Sequence, residues 1–309
     1  MRSIHAALVA LALPFILAGC SSPQPAAAPP LASETDILAV ESASLDPRDA
    51  EWNQSFAPFN VIGNIYYVGP TNVSSYLITT DDGHFLIDGG FAQSAPQIIA
   101  NVAALGFDIA DVKYLLNTHA HNDHAGGLAR LQRASGATMA ASPADRVALQ
   151  AGRVGYGPSA DWAFPPVRVD RVIADGDTLT LGGVTLTAIV MPGHTAGCTS
   201  WMMDVAGADG AQHRAFFHCS STVGGQSLSP PDYPTIVEDF RATFARVRTL
   251  QADILLPNHG NFIDLPALRA RQIAGDANAF VDAGALQSFN DATEAAFNTE
   301  LERQNAATR

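Results

Sequence analysis

Residues 117–127 read NTHAHNDHAGG and place His119, His121, Asp123 and His124 within six positions, directly after the apolar run VKYLL. The whole chain of 309 residues has nine histidines, so three in one short loop call for a chemical reason. Neutral imidazole and carboxylate are the usual nitrogen and oxygen donors to zinc. In an extended segment residues two apart point the same way, so His119 and His121 can converge on one ion. Asp123 and His124 come where the chain begins to turn into a helix and can face a neighbouring ion. Two distant histidines share this setting. His194 in MPGHTAGC and His259 in LLPNHGNF each follow an apolar run and precede a glycine-containing turn. The six candidate ligands suit two zinc ions with three protein ligands apiece, which leaves the open coordination position of a catalytic site.

Outward from this loop, the composition bounds the answer. With 47% hydrophobic and 15% charged residues the chain can bury a sizeable core. A formal charge of −13 argues against nucleic-acid partners, which are held by Lys and Arg. The start, MRSIHAALVALALPFILAGC, has a basic residue at Arg2, an apolar run too short to span a bilayer, and the ending Leu-Ala-Gly-Cys. That ending resembles the lipobox of bacterial lipoproteins. The resemblance implies a signal peptide over 1–19, acylation of Cys20, and a place on the periplasmic side of the envelope, with Ser21 favouring the outer membrane. Residues 20–50, rich in Ser, Pro and Ala, read as a tether, and 51–309 as a single folded domain.

Within that domain NVIGNIYYVG, VSSYLITTD and HFLIDGG read as an antiparallel meander divided by Gly, Asn and Asp-Asp-Gly turns. SAPQIIANVAALGF has helical spacing, with Ser94 as a cap and Gly106 as the stop. VKYLLNT is then a buried strand, AGGLARLQRASGA a helix and TMAAS another strand. The order repeats. RVIADGDTLTLGGVTLTAIVMPG supplies two or three strands, and CTSWMMDV with RAFFHCSS forms a hairpin. Residues 233–250 are helical, ADILLPNHG is a strand, and an amphipathic helix follows from Asp282. Strands then helix, twice over, predict an α/β fold of two packed sheets with helices outside.

The signature His-x-His-x-Asp-His with distant histidines resembles the metallo-β-lactamase superfamily, and the likeness extends over nearly all of 51–309. It implies a four-layer αβ/βα sandwich with a dinuclear site in a cleft along one edge. WNQSFAPFNVIGNIYYVG and FPPVRVDRVIADGDTLTLGG look most like subclass B3 of the β-lactamases. By that resemblance His119, His121 and His194 bind the first Zn2+, and Asp123, His124 and His259 the second. The other two subclasses carry Arg where His124 stands. Lactone and thioester hydrolases of the superfamily usually end the strand of RAFFHCSS on a bridging Asp, whereas this chain has His218-Cys219-Ser220.

The activity implied is hydrolysis of the β-lactam amide of antibiotics by a metal-bound hydroxide, with Asp123, His119 and His121 carrying the catalysis. Ser220 and Thr222 would dock the substrate carboxylate. The partners expected are a small β-lactam and, through the lipid anchor, a membrane, with the chain itself a monomer. The alternatives are another hydrolase of this fold, acting on lactones or thioesters, or a zinc-binding lipoprotein without catalysis. Pairing Trp201 with Phe216 across the hairpin sets Cys198 opposite Cys219, close enough for the disulfide that some members of the subclass have. Two free thiols, or a Cys219 thiolate ligand, remain open on the sequence. Asp88 reads as a hydrogen-bonding brace for the histidine loop, and Asn117, Thr118 and Thr195 as supports beside the ligands. Gly126 and Gly127 read as close-packing positions. His84 and His213 read as solvated residues of polar connections, and His218 as facing away from Cys219 on its strand.

Overall fold

The computed structural model describes residues 30–308. The signal segment 1–19 and Cys20 lie outside the described residues, and no described helix is long and apolar enough to cross a membrane.

The chain begins with two short helices, α1 (Glu34–Glu41) and α2 (Pro47–Trp52). A seven-stranded sheet follows, with its strands side by side in chain order: β1 (Phe59–Ile62), β2 (Ile65–Tyr67), β3 (Tyr76–Thr80), β4 (Gly83–Ile87), β5 (Val112–Leu116), β6 (Thr138–Ala141) and β7 (Arg171–Val172). The first four pair antiparallel, as the meander reading expects, and β4 to β7 pair parallel. Parallel neighbours need long crossovers, here filled by α3 (Ala95–Ala104), α4 (Asn122–Ala125), α5 (Leu128–Ser135) and α6 (Pro143–Ala151). The second sheet has the order β12-β11-β10-β9-β8. Its strands are β8 (Thr178–Leu181), β9 (Val184–Val190), β10 (Thr199–Ala206), β11 (Gln212–His218) and, after α7 (Ile236–Val247), β12 (Ile254–Pro257). The helices α8 (Leu265–Ile273) and α9 (Ala285–Ala307) complete the chain.

Side-chain alternation builds the layers. Phe85 and Ile87 of β4 face the second sheet, where they meet Trp201, Met203 and Phe217, while Leu86 between them faces α3 and α5. In the same way Ala215 and Phe217 of β11 point inward, and Phe216 points out toward Val247 and Leu286. Each large apolar side chain so buried contributes roughly 1.5–3 kcal/mol. The result is the four-layer αβ/βα sandwich, with one apolar layer between the sheets and one under the helices on either side.

Three expectations need correction. The segment 20–50 is not a tether throughout, because α1 and α2 pack onto the domain. Ser33 and Asp46 cap these helices by accepting hydrogen bonds from the backbone N–H groups of Asp36 and Asp49. Ile37 is buried among the residues under α3 and α5, and Arg130 of α5 donates two hydrogen bonds to the Glu41 carboxylate at 2.7 and 2.8 Å. Second, His84 lies within β4, 7% exposed and edge-on to Phe107, and His213 lies within β11, so neither belongs to a solvated connection. Third, β10 and β11 pair with Trp201 opposite Phe217, one residue from the expected register. The disulfide between Cys198 and Cys219 forms all the same, with Cα atoms 5.8 Å apart, because both cysteines lie beyond the last paired residues. Cys219 is therefore not a thiolate ligand.

Candidate metal centre

Parallel pairing brings the ends of β4 and β5 together, and that places Asp88 beneath the histidine loop. Asp88 Oδ1 accepts the Thr118 backbone N–H at 2.7 Å, and Oδ2 accepts the Thr118 hydroxyl at 2.5 Å. Its φ of 61° lies in the left-handed region, which Asp tolerates better than most residues. The loop then turns tightly into α4. A Cβ on Gly126 would lie 2.6 Å from the Ala92 nitrogen, and one on Gly127 would lie 2.2 Å from the Gly89 carbonyl oxygen. Both positions exclude any side chain, as the sequence reading expects.

The loop and the two distant histidines meet. His119, His121 and His194 hold potential ligand atoms all within 4.8 Å of one another, with ring centroids 4.6 to 4.8 Å apart. Beside them Asp123 Oδ2 lies 3.3 Å from His124 Nε2 and 3.5 Å from His259 Nε2, and those two nitrogens are 3.2 Å apart. The His119 ring centroid is 4.3 Å from that of His124, so the two groups adjoin.

Hydrogen bonding orients the rings. The Thr222 carbonyl, which can only accept, lies 2.8 Å from His194 Nδ1; that nitrogen therefore carries the hydrogen and Nε2 keeps its lone pair. His119 Nδ1 meets the Thr118 hydroxyl at 3.2 Å, and its Nε2 is buried without a partner. An orphaned buried nitrogen aimed into a cluster of nitrogen and oxygen donors fits a zinc ion, whose borderline-soft character suits that donor set.

Electrostatics favours the ligand form. Burial, then the neighbouring histidines, holds His119 and His121 well below the usual histidine range. Burial puts His194 at about 4, and burial together with His124 puts His259 at about 3. These four rings are neutral at pH 7 and offer lone pairs. His124 goes the other way. Burial pulls it down, but the Asp123 and Asp88 carboxylates outweigh this and carry it to about 10. Burial would raise Asp123, yet His124 and the other rings hold it well below the usual carboxylate range.

His121, Asp123, His194 and His259 line a solvent-open cleft of about 260 Å³, with the buried His119 and His124 beneath them. Thr222 lines this cleft. Ser220 does not; it is 2% exposed and reaches the cleft only through its hydroxyl contact with Thr222 at 3.1 Å. Asn117 donates to the His119 carbonyl, and Thr195 donates to the buried Asp145. His218 meets Ser221 at 3.2 Å, and burial lowers it to about 3.

Sequence reasoning missed part of the wall. Arg48 and Trp52 come from α2, a segment read as tether and its boundary. The capping pattern Asp46-Pro47-x-Asp49 could have announced α2, but nothing local says where α2 docks.

A fold with two sheets between helices and a His/Asp cluster at the sheet ends defines a metal-dependent class of protein, and this chain belongs to the metallo-β-lactamase superfamily. The superfamily profile matches residues 68–203. Among solved structures the chain is similar to BJP-1, a subclass B3 metallo-β-lactamase of Bradyrhizobium japonicum. Identity is 40% and the TM-score 0.80, with 84% of this chain and 98% of that one covered. It is similar also to FEZ-1 of Legionella gormanii, at 33% identity and a TM-score of 0.78, over 82% and 98% of the two chains. Among curated sequences it is 36% identical over 170 residues to a probable metallo-hydrolase of Burkholderia pseudomallei, covering 53% of this chain and 54% of that protein. The chain thus spans about half the length of the curated relatives it matches.

Proposed function

We propose that the protein hydrolyses the amide bond of β-lactams in a zinc-dependent reaction. The observation that carries this reading is the convergence of His119, His121 and His194 beside Asp123, His124 and His259, four of which line one open cleft. The likeness to subclass B3 structures supports the substrate class. So does the end of β11, where a disulfide-bonded Cys219 and Ser220 stand in place of a carboxylate.

In this reading the first three histidines hold one ion, and Asp123, His124 and His259 hold the second. Metal ions held there supply Lewis acidity toward a carbonyl and lower the pKa of water from about 15.7 to near 7. The chain's own residues do the rest. Thr222 fixes the tautomer of His194 through its carbonyl, and Asp88 with Thr118 locks the backbone beneath His119. The ionised Asp123 accepts a hydrogen bond from water in the cleft and so orients it toward the amide carbon. No side chain need bond covalently to the substrate, so inhibitors aimed at a serine nucleophile should be without effect.

Nitrocefin turnover before and after chelation tests the proposal. Turnover should vanish with chelator and return with zinc. Hydrolysis unaffected by chelation would overturn it. So would a panel in which an acyl-homoserine lactone or S-lactoylglutathione is cleaved and no penicillin or carbapenem is. Zinc binding without turnover of any of these would favour the non-catalytic alternative.

A further inference from the structure

The cleft is lined by histidines, by the carboxylates of Asp49 and Asp123 and by neutral groups, and among the described residues its wall holds a single permanent cation. Arg48, from α2, is the only arginine or lysine among the described residues that lines the cleft. Its guanidinium carbon lies 4.8 Å from the centre of the Trp52 ring and 5.9 Å from that of Trp162. Trp52 in turn stands edge-on to His259, with ring centroids 5.0 Å apart. A continuous row therefore runs from the metal-site ring of His259 through Trp52 and Arg48 to Trp162 at the rim.

One edge of the guanidinium is engaged and the other is not. Nε and Nη2 both donate to Asp49 Oδ1, at 3.1 and 2.9 Å, whereas Nη1 has no partner among the described residues. The Arg48 side chain is 54% exposed. An exposed arginine usually explores many rotamers, and ordering it on binding would weaken the gain. Here the Asp49 fork and the Trp52 ring already hold it, so the Nη1 edge is presented at small entropic expense. A planar guanidinium edge matches a carboxylate with two parallel N–H···O bonds, which a point-charge ammonium cannot reproduce. A purely structural role accounts for the Asp49 pair. It does not account for a cation set between two indoles at the mouth of a cleft.

We propose that Arg48 docks the carboxylate of the substrate at the rim of the cleft, with Trp52 and Trp162 holding the guanidinium in place. The proposal rests on the hydrolytic reading above and names a specificity determinant within it. It also moves the anion contact from Ser220, which is buried away from the cleft, to the amino-terminal helix pair.

Paired substrates and a turnover-independent probe test it. For R48A the KM for penicillin G should rise about tenfold with kcat changed less than about twofold, the pattern of lost uniform binding. The KM for penicillin G methyl ester should stay where it is in the unaltered protein. R48K should recover part of the loss and R48Q none, since both keep a long side chain and only Lys keeps the charge. Separately, benzoate should perturb the tryptophan fluorescence of the zinc-loaded protein, benzamide should not, and R48A should abolish the response. Equal KM changes for acid and ester, or the same benzoate response with and without Arg48, would overturn the assignment. If no β-lactam is turned over, the functional reading fails by itself, and the benzoate titration alone decides for or against Arg48 as an anion-docking residue.

Discussion

The floor and the rim of the cleft are built on different principles. The floor is made from backbone that has nowhere else to go. Asp88 bonds twice to Thr118, Gly126 and Gly127 touch neighbouring main chain, and His119 and His124 are fully buried. The rim is made from side chains brought in by a strap. Helices α1 and α2 reach it from the amino-terminal end, and it is fastened by Glu41 on Arg130 and by Gln93, which donates to the carbonyls of Val40 and Ala43. Chemistry needs atoms held to fractions of an ångström, whereas selection of a substrate needs only a charge and a surface in the right place. In the proposed reading, the difference explains why a rigid loop carries the candidate ligands and a clamped, partly exposed segment carries Arg48.

Changes to the floor should therefore act on catalysis and metal binding, and changes to the strap on substrate affinity alone. The largest effect is expected from His194→Ala. Losing a proposed metal ligand would forfeit several kcal/mol of charge stabilisation, so kcat/KM for nitrocefin should fall on the order of 10³-fold, accompanied by loss of bound zinc in elemental analysis. Retained activity would break the distinction at once. Next comes Asp88→Asn, which keeps a residue tolerant of positive φ but leaves only one acceptor for the two Thr118 donors. Zinc affinity, measured by competition with a chromophoric chelator, should drop roughly 10- to 100-fold.

A smaller effect lies in acid stability of the metal-free protein. The folded-state values of His194 and His259, about 4 and about 3, lie below the unfolded value near 6.5. As pH falls below about 6.5 the unfolded chain takes up these protons before the folded one. Stability is therefore present above that pH and is lost as pH falls toward the folded values. Melting temperature of chelated protein should decline from about pH 7 to pH 4; a flat curve would contradict the burial argument. His124 acts in the opposite sense, its contribution being fully present below the unfolded value and lost as pH rises through about 10. The smallest effect belongs to the strap. Glu41→Ala removes a partly exposed ion pair worth about 1 kcal/mol or less. It should raise KM for an anionic substrate severalfold while leaving zinc content and kcat nearly unchanged.

How much could be read in advance follows the same division. The strand that delivers the candidate ligands, VKYLL, and the loop after it carry their own signals: apolar run, ligand spacing and two glycines in sequence. Asp88 was legible as a brace because a carboxylate at the end of an apolar strand must find donors. The hairpin of Trp201 and Phe217 was read one residue out of register, since the alternation of both strands leaves neighbouring registers close in appearance. His84 looks like a turn residue because Asp-Asp-Gly precedes it, yet Phe107 stands against its ring. Helices α1 and α2 were hidden by a Pro-, Ala- and Ser-rich surround, though Ser33-x-x-Asp36 and Asp46-Pro47 are local capping patterns.

What the amino-acid sequence determined on its own was local. Strand periodicity, the spacing of His119, His121, Asp123 and His124, and the glycines behind them are set by chain geometry over a few residues. Tertiary structure alone decided that His194 and His259 arrive at that loop, that Cys198 and Cys219 meet beyond a shifted ladder, and that α2 delivers Arg48 and Trp52 to the rim. Such long-range meetings depend on which apolar faces bury together, and burial is non-directional, so no short stretch encodes its partner.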